Sequence, residues 1–339
     1  MRPMAAGFVA PAIPGFGHRG VDRGRDPVEM ADMSNRANAA DDVDDRNSEA
    51  ELRNWLLRET PHYDPATDLV VATVEGSMVA YAWVDWVDTT DGLREYRLGG
   101  CVDTAWRRRG IGRWLVRWGE ARATELARAR AADAGGRGLV LGTWTPEQRV
   151  GKRALFEQEG YRIVRWFHEM ARYDLQAVEL PPLPAGIEVR VPSADEIRTV
   201  YDADVEAFRD HWGGFDSSDE AYASFLNDPN LDRNLWVVAW AGDEVAGASI
   251  NAISAAENAA REQPRGWLES VFVRRPWRGQ GLASALVARS LERLAAAGMA
   301  SAVLGVDSEN PTGALRVYEK NGFVVERRAA AYRKPLVLG

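Results

Sequence analysis

Short apolar runs and helical stripes follow one another along this chain in a succession that occurs twice. Val70-Val71-Ala72-Thr73-Val74, the pair Glu75-Gly76, and Ser77-Met78-Val79-Ala80 predict a strand, a tight turn and a returning strand. Trp236-Val237-Val238-Ala239-Trp240-Ala241, Gly242-Asp243 and Glu244-Val245-Ala246 repeat that hairpin. Next, Leu98-Gly99-Gly100-Cys101-Val102 and Leu268-Glu269-Ser270-Val271-Phe272-Val273 each read as a strand running into an Arg/Gly-rich turn. The helices that follow are expected over about 113–132 and about 284–297, the second stopped by Gly298. Leu139–Thr143 and Ala302–Val306 are strands of buried type. Ala154-Leu155-Phe156-Glu157-Gln158-Glu159-Gly160-Tyr161 then matches Arg316-Val317-Tyr318-Glu319-Lys320-Asn321-Gly322-Phe323, a short helix closed by Gly before a last strand. The offset between copies drifts by only a few residues, as loops of varying length require.

Between the copies, Leu180-Pro181-Pro182-Leu183-Pro184-Ala185-Gly186 forbids a helix and predicts an extended connector. Beyond it Ile187–Val191 is a strand, and Ser193 with Glu196 three residues on caps a helix over about 194–208. Residues 1 to about 11 read as a flexible leader, and the acidic stretch from Ala39 to Asp45 as a solvated turn between helices.

The length of 339 residues suits two domains, and 46% hydrophobic with 27% charged residues describes a folded chain. A net charge of −8 argues against a dedicated nucleic-acid binder and suits neutral or cationic substrates. No apolar run approaches the roughly 18 residues of a membrane helix, and Pro11, Pro14 and Gly15 break up the Ala5–Ala10 run before it could serve as a signal core. A cytoplasmic protein without membrane contact is expected, as a monomer or homodimer. The single Cys101 and the scattered His18, His62, His168 and His211 form no ligand pattern, so no metal is expected. Cys101 itself reads as a small buried residue.

A strand, a glycine turn and a helix N-terminus bring free amides to a phosphate. Neither turn has the Lys or the spacing of a triphosphate-binding loop, and Gly279-x-Gly281-x-x-Ser284 lacks the third glycine of a dinucleotide fingerprint. Both instead carry Arg, two spacers, Gly, one spacer, then Gly or Ala: Arg107-x-x-Gly110-x-Gly112 and Arg278-x-x-Gly281-x-Ala283. With the Gly-aromatic ends downstream, this pattern resembles the acyl-CoA site of the GNAT acetyltransferase superfamily. The resemblance covers nearly the whole chain, twice. It implies an α/β fold (α+β, mixed sheet) in two tandem GNAT domains, 12–178 and 186–338, and acetyl-CoA as cosubstrate.

On that resemblance the backbone of Val271, Phe272 and Val273 would pair with the pantetheine arm. Arg278, Gly279, Gln280, Gly281, Leu282, Ala283 and Ser284 would hold the pyrophosphate, and Asn310 would brace the arm, unless it is simply a helix cap before Pro311. Tyr318 occupies the family's general-acid position, while Phe156 stands there in the first copy, so the first domain is expected to be catalytically silent. The alternative for Tyr318 is ordinary core packing. Strand alternation places Trp267, Glu269, Val271 and Val273 on one face and Leu268, Ser270 and Phe272 on the other. A carboxylate in so apolar a strand is costly unless paired or functional, which makes Glu269 the candidate base.

Tandem chains of this kind resemble the mycothiol synthase family, which uses only its C-terminal unit for chemistry. The segment Phe208-Arg209-Asp210-His211-Trp212-Gly213 is similar to an acceptor-side segment there, giving His211 and Trp212 as substrate contacts. Trp267 stands where that family has a substrate-contacting Glu. The acceptor stays open between a mycothiol-precursor-like primary amine and the amine of a cationic drug or peptide. A non-catalytic CoA-binding regulatory protein is the remaining alternative.

Overall fold

The computed structural model describes residues 9–209, 211–214, 216–259, 261–310 and 313–338. In chain order the first repeat contains β1 (Phe16–Arg19), α1 (Asp26–Ala40), α2 (Glu49–Leu56), α3 (Pro65–Asp68), β2 (Leu69–Val74), β3 (Ser77–Asp88), β4 (Leu93–Val102), α4 (Ile111–Ala129), β5 (Gly138–Pro146), α5 (Val150–Gln158) and β6 (Arg162–Arg172). The second contains β7 (Glu188–Arg190), α6 (Ile197–Phe208), α7 (Asp219–Leu226), β8 (Val237–Ala241), β9 (Glu244–Ala252), α8 (Ala255–Asn258), β10 (Arg265–Val273), α9 (Leu282–Ala296), β11 (Ser301–Asp307), α10 (Ala314–Lys320) and β12 (Val324–Pro335). None of the described helices is long and apolar enough to cross a membrane.

The chain forms two compact units. One comprises residues up to Val164 with Ser218–Pro229 and the chain from Ala330; the other comprises Arg165–Ser217 and Asn230–Ala329. The repeat suggests a division at 12–178 and 186–338, whereas the compact units cross it: the Pro-rich connector lies in the second unit, and α7 and the end of β12 lie in the first. In the first unit the sheet runs β1-β2-β3-β4-β5 and then the end of β12. β1 to β4 are antiparallel neighbours, and β4 pairs with β5 in parallel. In the second the order is β6-β11-β10-β9-β8-β7, with β10 and β11 the parallel pair. By position after their Gly-aromatic pairs, β6 and β12 are equivalent, yet β6 adds to β11 of the second unit and the end of β12 sits beside β5 of the first. The repeats have exchanged their last strands.

Both hairpins form as the turn chemistry requires. Glu75 and Gly76 take φ of 49° and 83°, and Gly242 takes 61°. α9 buries Leu282, Leu286, Val287, Leu291 and Leu294 on one stripe, and α4 does the same with Ile111, Trp114, Leu115 and Trp118. Each starts two residues earlier than its apolar stripe suggests, because the glycine turn supplies the N-cap. The helix expected from residue 194 begins as a 3-10 turn over Ala194–Glu196. There the Ser193 N–H donates to the Glu196 carboxylate at 2.8 Å, and Arg190 together with that bond holds Glu196 down to about 2. The acidic stretch does link α1 and α2, but Asp41 is not merely solvated: its two oxygens accept from Arg107 at 2.6 and 2.9 Å. Residues 1–8 of the expected leader, Asp210 and Pro311 lie outside the described residues.

Candidate active site

The site in the second unit is built on a strand that loses one neighbour. β10 pairs with β11 only from Arg265↔Ser301 to Trp267↔Val303, while its pairing with β9 continues to Val273↔Gly247. The β11 side of Val271, Phe272 and Val273 therefore faces no strand, which leaves a backbone edge where an amide-bearing chain can add. Strict alternation fails here. The register jumps between Leu268↔Asn251 and Ser270↔Ile250, so Glu269 is the extra residue of a β-bulge. Leu268 consequently shares a core cluster with Val271 instead of opposing it, and Glu269 is exposed. No burial cost weighs on that carboxylate.

After Val273 the chain makes a 3-10 turn at Arg275–Trp277 and reaches Gly279 and Gly281 with φ of 75° and 83°. A β-carbon would be strained at either position. Gly281 caps α9 with no side-chain bond to the first-turn amides, so the N–H groups of Leu282, Ala283 and Ser284 are presented at the positive end of a 15-residue helix. Arg278 is a brace within this turn: Nε donates to the Val273 carbonyl at 2.9 Å and Nη2 to the Ala207 carbonyl at 3.4 Å. Gln280 Nε2 donates to the Pro276 carbonyl at 3.3 Å, and the Ser284 hydroxyl accepts from Asn321 at 3.0 Å.

Tyr318 lies on α10 in the core, edge-on to Phe323 at 6.1 Å, and its hydroxyl makes no hydrogen bond among the described residues. Burial pushes it up to about 12, which keeps it protonated and able to donate at neutral pH. Asn310 is half-buried and does not cap α10, because Gly313 at φ 75° does. Its N–H donates to the Asp307 carbonyl at 3.1 Å. Trp267 donates from its indole to Glu257 of α8 at 2.7 Å, so a carboxylate ten residues upstream stands beside the position where none was expected. The His211 ring packs on Phe208 at 4.2 Å, and Trp212 lies 6.0 Å from Phe167 with the Arg165 guanidinium over it.

Sequence reasoning missed Asp204. It projects from α6 to accept from the Ser270 hydroxyl at 2.6 Å, immediately after the bulge. Burial raises its carboxyl to about 6, partly offset by that bond. Helical spacing alone could not single it out, since α6 also carries Asp202 and Glu206.

The first unit repeats the splayed strand and the turn. β4 follows β5 only from Leu93↔Gly138 to Arg97↔Gly142, then leaves it, with Thr143 donating to the Leu98 carbonyl at 2.8 Å. Its register against β3 runs unbroken from Ala80↔Val102 to Asp88↔Arg94, so this strand carries no bulge. Gly110, φ 89°, caps α4 without a side-chain bond. Arg108 adopts φ 64°, the left-handed conformation for which the second turn uses Gly279. A cavity of about 380 Å³ opens here, lined by Gly99–Val102, the turn residues Arg107, Arg108, Gly110 and Gly112, and Lys152, Leu155 and Phe156 of α5. Cys101, expected as a buried filler, is half-buried in its wall.

The sequence model for the acetyltransferase (GNAT) family matches residues 197–323. Mycothiol acetyltransferase of Streptomyces scabiei (strain 87.22) is 31% identical over 219 residues, 63% of this chain and 67% of that one. The mycothiol acetyltransferase of Salinispora tropica is 28% identical over 301 residues, 87% and 90% of the two chains. The match to that of Salinispora arenicola (strain CNS-205), 31% identical, spans 55% of each chain, about half the relative's length. Among solved structures, a GCN5-related N-acetyltransferase from Sphaerobacter thermophilus superposes with a TM-score of 0.68 at 29% identity, over 96% of this chain and 97% of that one. A tandem GNAT protein from the clavulanic acid biosynthesis pathway shares the fold, with a TM-score of 0.68 at 18% identity, over 95% and 99%.

Proposed function

Because this chain belongs to the GNAT acetyltransferase family, we propose that its second unit moves the acetyl group of acetyl-CoA to the primary amine of a small molecule, by direct attack in a ternary complex. The observation that carries this reading is a hydroxyl. Tyr318 keeps a protonated phenol, while Phe156 has none at the equivalent place.

The uncapped amides of Leu282, Ala283 and Ser284 would hold the pyrophosphate, and the free edge of Val271–Val273 would pair with the pantetheine amides. Tyr318 would give its proton to the departing thiolate. Removing a proton from the acceptor ammonium falls to a carboxylate on or against β10. Glu269, at the bulge, reaches solvent, while Asp204, held by Ser270 with a pKa of about 6, is poised to accept a proton near neutral pH. Asp204 is the base we favour, with Glu269 the alternative. The named relatives favour a mycothiol-precursor-like amine as acceptor; the Trp267–Glu257 pair, His211 and Trp212 would line its site. The protein's net charge of −8 suits a cationic amine of another kind equally.

The deciding assay is thiol release from acetyl-CoA across a panel of amines. Acceleration by a primary amine supports the reading; acetyl-CoA binding with no amine accelerating release would leave a CoA-binding protein without turnover.

A further inference from the structure

The cleft of the first unit contains an amine. Lys152 and Phe156 are one turn apart on α5 and both line the cavity. Lys152 Nζ lies 6.0 Å from the centroid of the Phe156 ring, at the place where the other repeat keeps a phenol. No hydrogen bond or ion pair ties down this ammonium among the described residues. The chain has only two other lysines, at 320 and 334. Lys334 is bound to Glu120 at 2.8 Å, and Lys320 is exposed at the end of α10.

We propose that an acyl-CoA thioester bound in this cleft acylates Lys152, so that the first unit modifies itself once in place of turning over. The proposal rests on reading the Arg107–Gly112 turn as an acyl-CoA site. In the step, the Lys152 nitrogen attacks the thioester carbonyl, a C–N bond forms and the C–S bond breaks. The leaving thiolate takes up a proton, and the amine sheds the protons it carried, leaving an amide, free CoA and one proton released from the original ammonium. Burial and the nearby Arg149 lower Lys152 to about 8, against the opposing pull of Cys101 and Asp41. Roughly a tenth of the amine is then neutral at pH 7. Arg108 and Arg149 line the same cavity and would attract an anionic thioester. The resulting amide is far less reactive than the thioester it came from, so the acyl group stays on Lys152.

The test incubates the full chain with acetyl-CoA and follows all three lysines by peptide-mapping mass spectrometry, while calorimetry on the same protein counts CoA sites. Lys152 should be acetylated at least about 100-fold faster than exposed Lys320, since a held amine enjoys a high effective concentration. Excess CoA should protect Lys152 and not Lys320, and Lys152→Arg should abolish the fast phase. Equal rates at Lys152 and Lys320, or no protection by CoA, would overturn the proposal. If calorimetry shows two CoA sites, one of them removed by Arg108→Glu in a variant of unchanged Tm, but Lys152 stays unmodified, self-acylation fails and the cleft reading survives. If one site is found and Arg108→Glu leaves it intact, both fail.

Discussion

Arg107–Gly112 and Arg278–Ala283 reach the same backbone shape from different residues. Each contains an αL glycine, Gly110 or Gly281, that caps a long helix without a side-chain bond, and each sends its arginine to a carbonyl of the first long helix of its repeat, Ala37 of α1 or Ala207 of α6, at 3.4 Å. The turns differ in what they tolerate. At the position of Gly279 the first turn holds Arg108 at φ 64°, a strain of about 1 kcal/mol, and its bracing Arg107 is neutralised by Asp41. The neighbouring strand is bulged in the second unit and regular in the first, and a buried phenol stands in one repeat where the other has a phenyl ring and an amine beside a cavity. On the proposed function, a glycine-capped helix start thus persists in the first unit without a counterpart of the Tyr318 phenol, which would separate holding an anion from moving a proton.

The contrast breaks most sharply at the glycines. Gly281→Glu places a strained, negative residue against the amides of α9 and should lower kcat/KM for acetyl-CoA by about 1000-fold, whereas Gly110→Glu should leave turnover within about twofold. A large loss from the second substitution would show that the first unit takes part in chemistry. Tyr318→Phe, read by steady-state kinetics, should cut kcat by about 100-fold with little change in KM; unchanged turnover would remove its acid role. The reverse change, Phe156→Tyr, should create no second activity, because β4 pairs with β3 without a bulge and, among the described residues, no carboxylate stands in the first unit as Asp204 does beside Ser270.

Asp204 sharpens the comparison through pH. Its carboxyl is raised to about 6, and a base works only when deprotonated. The kcat/KM profile should therefore be flat above about 6 and fall about tenfold per pH unit below it, and Asp204→Asn should lose both the limb and most of the rate. A limb that survives Asp204→Asn but vanishes in Glu269→Gln would transfer the role to Glu269. The smallest expected effect is on stability: Arg108→Gly should raise the first unit's stability by about 0.5–1 kcal/mol, seen as a shift of a few degrees in Tm.

Much of this was legible in the sequence because a duplicated chain carries its own control. The two hairpins, the glycine turns and the difference between 156 and 318 follow from comparing one copy with the other, while the helix boundaries miss by two residues at the glycine caps, by three at the end of α4, which stops at Ala129, and by the 3-10 turn before α6. The bulge at Glu269 was hidden, since an extra residue in a strand leaves the apolar pattern of Leu268 and Val271 intact while changing which face they share. Asp204 and Lys152 were invisible for a different reason. Each is one polar residue among several on its helix, and only folding shows that one meets Ser270 and the other faces a cavity. The exchange of β6 and β12 could not be read at all, because equivalent strands fit either sheet by pattern.

That exchange sets the order in which the protein can be completed during synthesis. When the ribosome has released the first repeat, β5 still has a bare edge, and the strand that covers it is encoded far downstream, from Ala330 onward. An unpaired edge kept open for so much of translation is a site for pairing with the wrong chain. The same topology means that cutting the gene between the repeats yields two fragments that each lack a sheet neighbour.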